Sequence, residues 1–545
     1  MRDPNGYATH DVYNQAAPLA DFDAFSVDPA LPAAVTAFGA GWACERLHLV
    51  GRTVGSAEVQ ELARLANRHA PELRTHDRFG NRVDRVDFHP AWHDLMSRAF
   101  AQEVHSLAWT APSHGHLARA ATFFLWNQGE SGILCPASMT HAALPVIRKS
   151  QEAVAAWETL LLSSTYDRRQ TAAAGKSGAT CGMAMTEKQG GSDLRQTQTE
   201  AVANGDGTWS ITGHKWFFSV PHSDVFLTLA RTAKGVSCFV VAGWLEDGSR
   251  NRIQVQRLKE KCGNRSNASS EVEFRGAIGR LIGEEGRGIA TILEMGHLTR
   301  IDCAVGSASL MRQALSHAAH HCATRSAFQR RIIDQPIMQN VLADLTIETE
   351  AATWLALRCA QAMDNADGDA QEELLSRILV PVAKYWICKR VTAVVVEALE
   401  CHGGNGFIED HVMARLYRDA PLNGVWEGSG NVICLDVLRS LAREPGCAGA
   451  LVHELRRACG GDSRYDSFVA RLERDFVELA KQEGQARRLV ERLALALSAS
   501  LLIRFGDKTV ADAFIATRLD GGFSGHFGDL PAGIDAGALA RRAAP

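Results

Sequence analysis

Three stretches, 289–325, 337–363 and 372–402, keep a helical period for longer than the roughly 8–20 residues of an ordinary globular helix. Helices of that length bury their apolar stripes side by side, so this part of the chain is expected to form a bundle of long antiparallel helices, with 431–442 as a shorter member. Between 181 and 287 the period drops to two. Asn204-Gly205-Asp206-Gly207 reads as a hairpin turn. The runs 208–212, 215–219, 225–230, 238–242, 253–256 and 271–274 are strand-like, and their spacing predicts a small antiparallel β-barrel or sandwich. From about 36 to 170 the pattern is helical, with Val59, Leu62, Ala63 and Ala66 on one face and Trp92, Leu95, Met96 and Ala99 on another. Residues 1–35 read as an extended arm. The expectation is therefore an α+β multidomain chain. It has an N-terminal arm and helical domain (1–180), a β-barrel domain (181–287), a helical bundle domain (288–445) and an extra C-terminal helical domain (446–545) with a loose Gly- and Ala-rich tail.

At 545 residues the chain is too long for one small core. Its net charge of -4 gives no global signature of a nucleic-acid binder, so any such role needs a local basic surface. Thirteen cysteines, an odd count without CxxC pairs, indicate reduced thiols and a cytoplasmic protein. The polar start does not resemble a signal peptide. The longest apolar run, 493–503, is too short to span a bilayer and reads as one buried helix.

The chemistry lies in three glycine-rich segments: Thr186-Glu187-Lys188-Gln189-Gly190-Gly191-Ser192-Asp193, Gly403-Gly404-Asn405-Gly406-Phe407 with Arg415 and Asp419 behind it, and Trp426-Glu427-Gly428-Ser429-Gly430. Singly, each is as readily a turn or a cap. In this order they point to a flavin, a flat ring with acceptors along its edge and a charged pyrophosphate tail. Thr186 and Ser219 offer hydroxyl donors, glycines near Gly191 and Gly404 let backbone approach closely, and Phe217 and Phe218 are candidate walls against water. Glu427 is the candidate base; the bland alternative is that it caps the helix starting near Asn431. His317 and His321, with His320 beside them, have zinc-ligand spacing but no HExxH context. A solvated helix face is the preferred reading, and no metal is assigned. Ser177 and the other serines lack a GxSxG elbow.

These motifs resemble the acyl-CoA dehydrogenase flavoprotein family over residues 90–445. The first family signature corresponds to Ala184-Met185-Thr186-Glu187 and Gly190-Gly191-Ser192-Asp193. The second runs from Glu400 through Gly403, Gly404, Gly406, Phe407, Asp410 and Arg415 to Asp419. The resemblance implies FAD, held by Met183, Met185, Thr186, Gly191, Ser192, Phe217, Phe218 and Ser219 from the barrel. Gly403, Gly404, Trp426, Gly428, Ser429 and Asn431 would contribute from the bundle, and Arg325 and Phe328 of an Arg-x-x-Phe segment from a partner subunit. It implies Glu427 as catalytic base with Arg300 behind it, and a homo-oligomer, usually a tetramer. The chain departs from the pattern at Phe217, Trp426, His297, Glu400 and Pro336, with Gln335 one place early.

Within that family the whole chain is most similar to the AidB-type flavoproteins of the adaptive response to DNA alkylation. The likeness includes 88–93, 213–221 and 263–269, and it weakens over the last hundred residues. This subgroup implies sequence-independent binding of double-stranded DNA through the C-terminal domain, protection of DNA against alkylation, and weak dehydrogenation of branched acyl-CoA. Arg439, Arg464, Arg471, Arg474 and Arg518 are the candidate DNA contacts. From 447 to 545 the balance is fourteen Lys and Arg against thirteen Asp and Glu, so charge alone favours an ordinary salted helix surface. A metabolic dehydrogenase of branched short-chain acyl-CoA is the alternative.

Overall fold

The structure is a computed structural model and describes residues 9–521 and 525–545. The N-terminal region carries helices α1 (Cys44–Gly55), α2 (Ala57–Arg68), α3 (Pro90–Ala101), α4 (Gly115–Gly129) and α5 (Leu134–Ile147). It also holds a hairpin that the helical reading missed, β1 (Glu72–His76) with β2 (Arg82–Asp87). Its turn is local chemistry: the Asp77 carboxylate accepts the N–H groups of Phe79 and Asn81. The hairpin leans on the barrel through Arg82, whose Nη2 donates to the Val255 carbonyl at 2.9 Å.

The barrel comprises β3 (Cys181–Ala184), β4 (Glu200–Ala203), β5 (Trp209–Ser219), β6 (Val225–Thr232), β7 (Gly235–Ala242), β8 (Ile253–Leu258) and β9 (Ser269–Ile282). Its order is β3-β6-β4-β5-β9-β7, a β6–β7 pairing closes the ring, and β8 pairs β9. The predicted turn at 204–207 joins β4 to β5. The ladder is mixed rather than purely antiparallel, because β6 runs parallel to both β3 and β4. Ile211, Phe218, Phe226, Phe239 and Phe274 fill its interior.

Helices α6 (Gly288–Thr324), α7 (Pro336–Asn365) and α8 (Ala370–Glu400) match the three long periodic runs within two residues at each end. Pro336 occupies the first turn of α7, where no intrahelical N–H is lost. Asp369 caps α8 by accepting from Gln371 and Glu372. The bundle continues with α9 (Val412–Asp419) and α10 (Gly430–Arg443).

Of the C-terminal helices α11 (Gly446–Arg456), α12 (Ser463–Ala480), α13 (Ala486–Phe505), α14 (Lys508–Arg518) and α15 (Ala536–Arg542), all but α12 lie against α7 or α8, α12 packs mainly on α13, and the whole layer shares the hydrophobic core of the bundle. The apolar run 493–503 is the buried middle of α13. Buried ion pairs fasten this layer. Arg358 of α7 bonds Glu454 of α11 at 3.0 Å, Glu454 also accepts from Arg504 of α13, and Arg542 of α15 reaches Glu350 of α7. The tail expected to be loose is anchored at its last helix, where Leu539, Ala540 and Ala543 are buried, while most of 525–538 is exposed or half-buried. No helix among the described residues is long and apolar enough to cross a membrane.

Candidate active site

Glu427 stands in the turn leading into α10 with φ +57, followed by Gly428 at φ +102. A left-handed glutamate persists only where its surroundings over-determine it. Buried Lys384 of α8 donates from Nζ to the carbonyls on both sides, Trp426 at 3.0 Å and Gly428 at 2.5 Å. Arg300 of α6 donates from Nε to the Glu427 carbonyl at 3.1 Å, and its Nη1 is anchored on Asp436 at 2.8 Å. The three carbonyls of the turn are thus fixed, while the Glu427 N–H donates to no described residue. The side chain does not cap α10, whose N-cap is Ser429. It lies instead across α6, where a Cβ at Gly296 would come within 3.9 Å of Oε2. Burial pushes its carboxyl pKa up; the Thr299 hydroxyl and the charges of Arg300 and Lys384 oppose the rise. Some of the residue remains accessible, as an acid–base group needs. Trp426 beside it is held by an Nε1 bond to Asn423 at 2.8 Å.

On the barrel side, Met183 is buried in β3, and Met185 and Thr186 follow half-buried. A Cβ at Gly191 would come within 2.3 Å of Thr186 Oγ1, so only glycine lets the loop fold back over that hydroxyl. Ser192 is exposed at its tip. The loop is pinned from below by Glu187, which pairs with buried Lys215 at 2.8 Å and accepts the N–H groups of Gln198 and Thr199. Residues 217–219 alternate along β5. Phe217 is 51% exposed and Ser219 half-buried on the outside, whereas Phe218 is fully buried against Phe226 and Phe274 inside the barrel. The expectation that both phenylalanines wall a flavin is corrected: a two-residue period cannot turn neighbours to one side. Burial pushes the Cys135 thiol of α5 up to about 12, and that thiol feels both Ser219 at the barrel edge and the charge of Glu427.

Farther along, Gly403 has φ +59, and neither it nor Gly404 has an atom within 4 Å of a built Cβ. His402 beside them is buried with Nε2 unpartnered, while Glu400 is exposed. Arg325 ends α6, and Phe328 and Gln329, at φ 52 and 66, form the tip of a two-residue hairpin. Phe328 is 93% exposed. Asn14 of the N-terminal arm holds the hairpin by exchanging two 2.8 Å bonds with Ser326, and Gln335 braces its base on the Ala327 carbonyl at 3.0 Å. Asn431 is exposed at the start of α10 and accepts from Arg487 at 2.8 Å.

Other expectations change. His317 and His321 do not form a solvated face; their rings pack against His411 and His402, and burial lowers both pKa values. No group of three or more His, Cys, Asp or Glu among the described residues is arranged to hold a metal ion. Arg518 is no surface residue. It is 5% exposed and clamps Glu348 at 3.0 Å together with Asp344, so the expected DNA contact is corrected to a core ion pair. Arg464 is tied between Asp462 and Asp512. Arg471, Arg474 and Arg439 are exposed, the last 3.5 Å from Asp436. A depression of about 470 Å³ lined by His93, Tyr166 and Arg168 holds none of the residues assigned to flavin or base.

A helical domain, a barrel and a long-helix bundle around a strained, half-buried glutamate define an acyl-CoA dehydrogenase. Residues 182–277 and 286–442 match the family models for the acyl-CoA dehydrogenase middle domain and C-terminal domain, and 14–168 that for the Adaptive response protein AidB N-terminal domain. The chain is 45% identical to AidB of Escherichia coli (strain K12), covering 94% of this chain and 95% of that protein. It is 32% identical to Acyl-CoA dehydrogenase family member 11 of Caenorhabditis elegans, covering 70% and 64%. Among solved structures, Caenorhabditis elegans ACDH-11 in complex with C11-CoA superposes with a TM-score of 0.84 at 25% identity, covering 100% of this chain and 94% of that one. The apo form of Bd2924 gives 0.83 at 25% identity, covering 91% and 100%. The chain belongs to the AidB group of the acyl-CoA dehydrogenase family, flavin oxidoreductases whose cofactor is FAD. Its residues fit that group. Hydroxyls at Thr186 and Ser219 line a partly open edge, Gly403 and Gly404 leave room for a phosphate-bearing tail, and buried His402 Nε2 lacks a partner beside them.

Proposed function

We propose that this chain is an FAD-dependent acyl-CoA dehydrogenase of low activity that also binds double-stranded DNA and protects it from alkylation. The observation that carries the enzymatic half is Glu427, locked by Lys384 and Arg300 with its own N–H free. Its carboxylate removes the α-proton of an acyl thioester, and its N–H donates to the thioester oxygen as charge builds there. Bound FAD supplies the acceptor for the hydride leaving the β-carbon. Trp426 and Met185 exclude water from the cleft. Raised by burial, Glu427 is ionised only above the ordinary carboxylate value of 4.5. The kcat/KM for 3-methylbutanoyl-CoA should therefore rise with pH through a midpoint above that value. A midpoint at or below it would contradict the assigned base.

DNA binding rests on the AidB resemblance and on Arg439, Arg471 and Arg474, exposed on α10 and α12. Phosphate contacts carry no sequence information, so binding is independent of sequence. Cutting the chain after 443 would strip buried partners from Arg358 and Glu348, so surface substitutions are the sounder test. Arg471→Ala and Arg474→Ala, each removing one cation from the phosphates, should each reduce the salt slope of binding by about 0.9, read by mobility shift at several salt concentrations. An unchanged slope in the triple variant with Arg439→Ala would remove this surface from the account. Cytoplasmic location, FAD contact by Arg325 and Phe328 of a neighbouring copy, and a tetramer belong to the same proposal; Phe328, exposed at its hairpin tip, supports the contact between copies.

A further inference from the structure

The segment that enters β9 holds an oddity next to the reaction cleft. Asn267 is 1% exposed, yet neither Nδ2 nor Oδ1 of its carboxamide has a hydrogen-bond partner. Buried amides are almost always paired, and an exception calls for water, an ion or a ligand. The surroundings are built for polarity. Lys261 donates from Nζ to the Asn267 carbonyl at 2.6 Å and to Ser269 Oγ at 3.3 Å, which holds the backbone and leaves the carboxamide uncommitted. Asn264, 3% exposed, also has an unpartnered Oδ1. Ser269 pairs with Ser219 across the β5–β9 ladder and the Val220 N–H donates to the Ala268 carbonyl at 2.9 Å, so this corner adjoins the barrel edge. The buried Cys135 thiol beside Asn267 also feels the charges of Lys261 and Glu427.

We infer that Asn267, with Lys261 and Cys135 around it, forms a recognition subsite for a compact polar group on the ligand tail, one that both donates and accepts hydrogen bonds, as a primary carboxamide does. The inference rests on the acyl-thioester reading of the cleft. A hydrocarbon tail pressed against Asn267 would leave an acceptor and two donors buried and unmade, whereas a carboxamide answers both. Sites built around buried polar groups reject the analogue lacking them, because those groups then stay unpaired. Asn267 is thus a specificity residue, and Glu427 keeps the chemistry.

The test compares isosteric CoA thioethers, which lack the acidic α-proton and do not react: S-(3-carbamoylpropyl)-CoA against S-(4-methylpentyl)-CoA, and S-(2-carbamoylethyl)-CoA against S-(3-methylbutyl)-CoA. Binding to the holoenzyme is measured by calorimetry. The carboxamide should bind at least about tenfold tighter at one of the two lengths. Asn267→Leu should reverse the preference, and Asn267→Gln, one methylene longer, should move it to the shorter tail. The glutamine variant carries the test alone if the leucine variant does not fold. Equal or apolar preference in the wild type overturns the subsite, as does an unchanged ratio in both variants. Loss of the visible flavin spectrum in Asn267→Leu also overturns it, because the carboxamide would then serve the cofactor. If no CoA compound binds, butanoyl-CoA included, the thioester reading falls with it. CoA ligands that bind without discrimination bring down the subsite alone.

Discussion

Glu427→Gln retains FAD and the fold but lowers acyl-CoA oxidation by about 10²–10⁴, the usual contribution of a positioned general base. Glutamine has the same shape and leaves untouched the main-chain bonds from Lys384 and Arg300, which fix the turn through carbonyls rather than through the carboxylate. Binding of thioester should therefore survive while kcat collapses. The same substitution has a thermodynamic signature. Burial raises the folded-state pKa of Glu427, so between the ordinary value and the raised one the folded chain holds more protons than the unfolded chain. Stability falls as pH rises through that window. The neutral variant escapes this loss, and its melting temperature should exceed that of the wild type at neutral pH and converge with it below the ordinary carboxylate range. Turnover unchanged in Glu427→Gln would make the carboxylate a bystander.

Arg518→Ala is expected to cost about 3–5 kcal/mol of stability, the penalty for removing one member of a buried ion pair. The guanidinium lies between Asp344 and Glu348 of α7, and Glu348 also pairs with Arg390 of α8 at 2.8 Å. Its loss leaves Asp344 buried with, among the described residues, only the Gly528 N–H as compensation. Denaturant titration measures the effect; DNA affinity per folded molecule should not change. Arg474→Ala should do the reverse, altering stability by less than about 0.5 kcal/mol and weakening DNA binding. If Arg518→Ala proved as stable as the wild type and lost DNA binding, the assignment of Arg518 to the core would be wrong.

How much of this was legible in the sequence depends on whether the signal is local. The long helices were readable because thirty residues of steady period leave no alternative, and the family because the glycine segments keep the spacing of its two signatures. The β1–β2 hairpin was hidden by its charged strands, Glu-Leu-Arg-Thr-His and Arg-Val-Asp-Arg-Val-Asp, which lean on the barrel instead of entering a core. Phe218 was misplaced through attention to residue type over strand alternation. Arg518 was misplaced because its partners sit some 170 residues upstream; an arginine at the end of a helix looks solvated until α7 is laid beside it. The histidines of α6 likewise met His402 and His411 only in three dimensions. Asn267 could not be singled out at all, since an unpartnered carboxamide is a property of packing.

The most direct measurement is the flavin content of freshly purified protein, followed by anaerobic mixing with 3-methylbutanoyl-CoA. The account predicts one FAD released per chain on denaturation, and slow or partial bleaching that disappears in Glu427→Gln. A colourless protein that does not take up added FAD would contradict it.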